Sequence, residues 1–302
     1  MALIRHPMPY GDLSNMQVQR FASIADIDAA APTVEEREEY EEPVRQGMVV
    51  FAGVDYARIV AAAAAEADVI VWDGGNNDTT FIDPALTVCV VDPLRPDDGR
   101  RYHPGETNLV MADAVVVNKT DSAEPSAVDA VLADVAAVNP DATVVRAASP
   151  VTLDPGPDLA GRRVLVVEDG PTLTHGGMAE GAGTIAARQA GVGMIVDPRP
   201  WAVGSLAATF AAHPHLGPVL PAMGYGEAQL ADLAATVRAV ECDVVVIGTP
   251  IDLARLADLG HPTRRARYTV QEIGTPDLRA VLAPIIDRTG GRAPDGPEEV
   301  SR

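Results

Sequence analysis

The 302-residue chain carries a formal charge of −20, a pI near 4.5 and 47% hydrophobic residues. Its apolar content is enough for a sizeable core, and its length is enough for two domains. The acidic field repels nucleic acid and anionic lipid, and no apolar stretch approaches the about 20 residues that span a bilayer. The N-terminus lacks a basic-then-apolar leader, so the expectation is a cytoplasmic protein without nucleic-acid or membrane partners.

In chain order, the acidic run Glu35–Glu42 predicts a solvated first helical turn. Tyr56–Glu66 then reads as a helix, Val69–Asp73, Val88–Asp92 and Ala114–Asn118 as buried strands, Ser126–Val138 as a helix and Thr143–Arg146 as a strand. This alternation predicts an α/β fold with a mostly parallel sheet. The turn-rich segment Ser149–Gly161 breaks the pattern and predicts a boundary, giving domains 1–150 and 151–289. Beyond it, Val164–Val167, Met194–Asp197, Pro218–Leu220 and Asp243–Gly248 read as strands. Met178–Ala190, Ser205–His213, Glu227–Val240 and Leu253–Leu259 read as the intervening helices. A strand near Tyr268–Ile273, a helix at Asp277–Asp287 and a polar, frayed tail 290–302 complete the reading. Cys89 and Cys242 sit in apolar runs without disulfide or metal spacing, as buried free thiols do.

In an open α/β sheet, ligands bind at the carboxyl ends of the strands. Asn118-Lys119-Thr120-Asp121 follows such a strand, and Lys119 is the chain's only lysine, the other 22 of 23 basic residues being arginine. This is the N-K-x-D pattern that reads guanine. The Asp121 carboxylate can accept from the ring N–H and the exocyclic amine, Lys119 can lie over the base, and Asn118 can tie loops together. The plain alternative is a turn with a capping aspartate. Asp73-Gly74-Gly75 ends an earlier strand, where a carboxylate can hold Mg²⁺ and the glycines allow a phosphate to approach. With one predicted strand between them, Asp73 and Asn118 are expected to face one site. The phosphate loop G-x-x-x-x-G-K-[ST] is not found in the 302 residues, because the sole lysine follows Asn118.

Three further turn segments concentrate anion-binding side chains: Arg5 to Asp12, including His6 and Tyr10; Glu168 to Gly177, including Asp169, Thr172, Thr174 and His175; and Asp197 to Ser205, including Arg199. Caps, satisfied loop histidines and a local ion pair are the structural alternatives for these residues. No histidine pair shows metal-ligand spacing.

The strings RHPMPYGDL, ADVIVWDGGNND, VVVNKTD, VLVVEDGPTLTHGGM, DPRPWAVGS and LPAMGYG resemble the cyclic 2,3-diphosphoglycerate synthetase family, whose members are often labelled GTPases. The resemblance runs from about Ile4 to about Ile286. It implies a P-loop-NTPase-like domain lacking its phosphate-loop part, followed by a second α/β domain. The implied activity is ligation of 2,3-diphosphoglycerate into an intramolecular phosphoanhydride with ATP, whereas the N-K-x-D loop mechanically prefers guanine, so the expected cofactors are ATP or GTP with Mg²⁺. Asp73 would be the metal-side catalytic carboxylate, and Gly74, Gly75, Asn118, Lys119 and Asp121 the nucleotide contacts. Arg5, His6, His175 and Arg199 would act on the substrate, with Tyr10, Asp169, Thr172, Thr174 and Ser205 binding it. The acidic, arginine-rich composition has two readings, a GC-rich genome or a high-salt cytoplasm, and the cyclic product's role as a compatible solute fits the second. Family members carry a phosphate loop ahead of the RHPMPY segment, so this chain is expected to be a truncated or P-loop-less member, inactive alone. The competing readings are a non-catalytic or regulatory GTP-binding module of the same family and a metabolic α/β protein that uses only its second domain's loops to bind an anion; under any of them a homodimer is the default assembly.

Overall fold

The computed structural model describes residues 1–5, 13–14, 16–75, 78–223, 226–250 and 253–290. Its first elements are β1 (Ala2–Arg5), β2 (Gln19–Phe21), α1 (Ile24–Ala30), α2 (Val34–Arg45), β3 (Val49–Ala52), α3 (Tyr56–Glu66) and β4 (Ile70–Asp73). Next come β5 (Val88–Val91), α4 (Asp98–Arg101), α5 (Gly105–Met111), β6 (Ala114–Val117), α6 (Pro125–Val138), β7 (Thr143–Ala148) and β8 (Val151–Leu153). The next stretch holds β9 (Arg163–Asp169), α7 (Gly170–Thr174), α8 (Ala182–Gln189), β10 (Met194–Ile195), α9 (Gly204–Ala212), β11 (Leu220–Ala222) and α10 (Glu227–Ala239). The last elements are β12 (Val244–Gly248), α11 (Leu253–Leu256), β13 (Thr263–Tyr268), β14 (Gln271–Glu272) and α12 (Leu278–Thr289).

Two compact units result, and both are discontinuous in sequence. The first comprises Met1–Arg20, Met48–Pro150 and the stretch from Val270 on; the second comprises Phe21–Gly47 and Val151–Thr269.

The first unit holds two four-stranded sheets, ordered β2-β3-β1-β4 and β14-β7-β6-β5. Strand β1 pairs parallel with both neighbours, and β5, β6 and β7 are parallel. Short β14 closes the second sheet antiparallel to β7. The four residues of β6 are all buried, as a central parallel strand covered on both faces requires. Val115 and Val117 pack with Val131 and Val135 of α6, while Val116 joins Val145, Ala147 and residues Leu278 and Val281 of α12. By contrast β4 and β5 are each an edge strand, with Val71, Val88 and Val90 exposed. The expected run in which one strand separates Asp73 from Asn118 is therefore not formed. The segment after β4 is tied to helix α5, where the Asn108 side-chain amide donates to the Asp78 carbonyl at 2.8 Å.

The second unit is one six-stranded sheet, ordered β10-β9-β12-β13-β8, with β11 pairing on the same edge of β9 nearer its carboxyl end. All pairings are parallel except β13 with β8. Its core gathers Val164 to Val167, Val244 to Ile247 and the apolar faces of α8, α9 and α10.

Three expectations are corrected. The predicted strand Tyr268–Ile273 divides, because β13 and β14 pair in different sheets. Helix α8 starts at Ala182, not Met178, because the Gly181, Gly183 and Thr184 N–H groups at its start are gathered on Glu168. The acidic run is not a solvated turn. Glu36 closes a capping box with Thr33 and is buried, and Glu41 is buried between Arg37 and Arg45, each at 2.7 Å. Glu38 accepts from the Thr249 hydroxyl at 3.0 Å.

Candidate functional site

In the first unit, the loop leaving β6 is fixed by the strands on both sides. Asn118 N–H donates to the Val91 carbonyl at 3.0 Å. Thr120 donates from its N–H at 3.0 Å and from its hydroxyl at 2.9 Å to the Ala147 carbonyl. Lys119 lies between these anchors with φ +57°, a left-handed conformation that costs a non-glycine residue roughly 1–2 kcal/mol. Its ammonium meets Asp92 Oδ2 at 2.7 Å. Asp121 accepts from the Ser149 N–H at 3.0 Å through Oδ1 and is otherwise exposed. Asn118 Oδ1 is buried and has no hydrogen-bond partner among the described residues. A buried acceptor left without a donor costs about 1–3 kcal/mol, so its presence at a strand's carboxyl end points to a ligand or loop N–H.

Asp73 ends β4 opposite Arg5 in the parallel register, and the two side chains form an ion pair. Arg5 is mostly buried, whereas half of the Asp73 side chain is exposed. Gly75 N–H is held by Asp78 Oδ2 at 2.8 Å, and Gly74 lies against the Trp72 ring, where a Cβ would meet carbon at 2.4 Å. The turn is thus built tightly around glycine, and the carboxylate projects beside it. His6, Tyr10, Asn76 and Asn77 lie outside the described residues, as does the expected tail from 291 on. No cluster of three or more His, Cys, Asp or Glu suited to a metal occurs among the described residues.

The second unit gives the remaining candidates internal partners. Asp169 caps α7, accepting from the Thr172 N–H at 3.0 Å and its hydroxyl at 2.6 Å. Thr174 donates to the Gly170 carbonyl at 2.9 Å and lies 3.3 Å from Nδ1 of exposed His175. Arg199 forks onto Asp197 at 3.0 and 2.9 Å, donates to the Leu216 carbonyl and stacks over Phe210 at 5.0 Å. Ser205 donates from backbone and hydroxyl to Asp232 at 2.8 and 2.9 Å, and these bonds, backbone first, hold that carboxyl below the usual carboxylate range. Glu168, 1% exposed, receives the N–H groups of Gly181, Gly183 and Thr184 and the Thr184 hydroxyl at 2.7–3.1 Å. Burial pushes its carboxyl up, against these four donors. Burial likewise raises the free thiols of Cys89 and Cys242.

The structure therefore joins Arg5 with Asp73 and gathers Asn118, Lys119 and Asp121, while Arg199, Ser205, Thr172 and Asp169 are bound up in local frameworks. Sequence reasoning overlooked Asp92 and Ser149. The available signal for both was position: each directly follows a parallel strand on the edge that carries Asn118.

Residues 59–146, which include β4 to β6 and the Asn118–Asp121 loop, match the CobW/HypB/UreG nucleotide-binding domain. The first unit is thus a P-loop-like nucleotide-binding fold, and the chain as a whole is α/β with mostly parallel sheets. Over 252 residues, 83% of its length, the chain is 54% identical to the arginine synthetase ArcE of Thermococcus kodakarensis, and it belongs to that protein's family. The match covers 56% of the relative, so the chain spans about half the length of the relative it resembles. This overturns the resemblance to cyclic 2,3-diphosphoglycerate synthetase and the cyclising activity drawn from it. The physical reason lies in what those strings encode. WDGG and NKTD stand at strand ends of a nucleotide fold, and EDGPTLTHG supplies a helix cap and a buried glutamate, so these strings leave the substrate joined to the nucleotide chemistry unspecified. No helix among the described residues is long and apolar enough to cross a membrane.

Proposed function

We propose that this chain is the base-reading, metal-side part of a nucleotide-driven ligase that forms arginine. The name of its 54%-identical relative supplies the product. The observation that carries the nucleotide part is the Asn118–Asp121 loop, pinned to β5 and β7, with a buried acceptor that has no partner among the described residues and an exposed carboxylate. Asp121 can take two N–H donors from one ligand edge, which guanine presents and adenine does not, so GTP is the assigned nucleotide. Asp73 is the residue that would hold Mg²⁺. Its half-exposed carboxylate fits an ion that takes one or two protein carboxylates and fills its other positions with phosphate oxygens and water. The ion supplies neutralisation of phosphate charge. Arg5, paired to the same carboxylate, keeps it oriented and carries a second positive charge to the strand end. A Gly-Lys-[Ser/Thr] phosphate loop is not written in these 302 residues, so the complete phosphate cradle is no part of this assignment.

Calorimetric titration of the chain with MgGTP, MgATP and MgXTP tests the reading. Preferential binding of MgGTP, weakened at least tenfold by Asp121→Ala, is expected. Equal affinity for all three, or binding indifferent to Asp121, sinks the base-site assignment. Arginine formation coupled to nucleotide consumption tests the ligase assignment separately.

A further inference from the structure

Asp92 has no place in the sequence motif, yet it is the side chain that holds the motif's lysine. Its Oδ2 takes the Lys119 ammonium at 2.7 Å, while Oδ1 accepts the Leu94 N–H at 2.9 Å. A guanidinium nitrogen of Arg95 approaches Oδ2 at 3.6 Å. The carboxylate is mostly buried and the lysine more exposed, so Asp92 is the fixed partner and Lys119 the one being held. Both lysine ends are thereby restrained: the backbone by its left-handed conformation between two strand-anchored neighbours, the ammonium by Asp92. A free lysine has many rotamers to lose when it packs on a ligand.

We propose that Asp92 is a positioning residue for nucleotide binding, locking the Lys119 stem as a preformed shelf for the base. This rests on the reading of Asn118–Asp121 as the base site. The benefit is preorganisation: ordering that lysine beforehand removes a cost otherwise met on binding.

Because Lys119 is the only lysine, isotope-labelled lysine gives one side-chain ammonium signal without assignment. Asp92→Asn keeps an oxygen for the Leu94 N–H and removes the charge, so the turn should survive, as an unchanged melting temperature would confirm. In the unsubstituted chain, the ammonium signal should be ordered and should shift on adding GDP; in Asp92→Asn its order should be lost. Calorimetry should show GDP affinity about 3- to 10-fold weaker in Asp92→Asn. In a Lys119→Met background, the same substitution should cost nothing further. Unchanged GDP affinity in Asp92→Asn, or an equal loss with and without Lys119, overturns the proposal. If the unsubstituted chain neither binds GDP nor shifts its lysine signal, the base-site reading has failed first, and this proposal falls with it.

Discussion

Two carboxylates show how environment assigns opposite pH behaviour to similar groups. Glu168 has its pKa raised by burial, so the folded state binds its proton more tightly than the unfolded chain does. Its contribution to stability is fully present below the unfolded pKa and is lost as pH rises through the raised folded value. Asp232 is held low by Ser205, so its contribution is present above the unfolded pKa and is lost as pH falls through the folded one. Urea denaturation across this acid range should therefore show Glu168→Gln losing the stability decline that begins just above the ordinary glutamate value. Glutamine keeps one oxygen but sets an amide against the Gly183 N–H, so a loss of about 1–3 kcal/mol at neutral pH is expected. At Asp121 the chemistry is more specific. Asparagine there presents one acceptor and one donor, which suits the N–H and C2 carbonyl of xanthine. Asp121→Asn should move the chain's preference from GTP to XTP, read by competition titration; unaltered preference would mean that this side chain does not read the base.

Close packing at the ends of elements decides the next scale. A Cβ on Gly248, at the end of β12, would meet Glu168 Oε2 at 2.3 Å and the Gly183 backbone N at 2.7 Å. Three elements converge there, so the neighbours cannot yield independently. Gly248→Ala should cost about 1–3 kcal/mol of unfolding free energy by denaturant titration, with Gly161→Ala, which meets nothing within 4 Å but holds φ +69°, as the purely backbone comparison. The α2 N-terminus is a capping box, and Thr33→Ala should cost roughly 1 kcal/mol. Helix type and centre were readable from periodicity: Tyr56–Glu66 and the helix after Glu124 stand where the apolar spacing puts them. Their ends were less so. The start of α8 depends on a glutamate more than ten residues earlier, and the split of the β13–β14 segment depends on which sheets offer a partner.

For the whole molecule, a charge of −20 has a physical consequence independent of function. Mutual repulsion of carboxylates opposes compaction and is screened by salt, over about 10 Å at 0.1 M and about 3 Å at 1 M. The melting temperature should rise as potassium chloride is increased from the lower to the higher of these; a flat response would mean that carboxylate repulsion does not limit the stability of the fold. Both units are assembled from separated pieces of chain, so a cut at Pro150 would part neither unit cleanly.

By itself the sequence determined the α/β class, the strand-end position of Asp73 and of Asn118 to Asp121, and the lack of a Gly-Lys-[Ser/Thr] loop within these residues. Those follow from local periodicity, from the fixed geometry of a residue after a strand, and from composition. Tertiary structure decided which polar side chains remain available. Asp169, Thr172, Arg199 and Ser205 have the composition of an anion site, but a local cap occupies Asp169 and Thr172, a local ion pair with Asp197 occupies Arg199, and only Ser205 is taken by a distant partner, Asp232. It also decided that Lys119 meets Asp92, 27 residues earlier, and that β4 and β5 become edges of separate sheets. The long-range facts among these, Ser205 on Asp232, Lys119 on Asp92 and the separate sheets, depend on strand pairing and on burial, which join residues distant in the chain, and no local pattern records them.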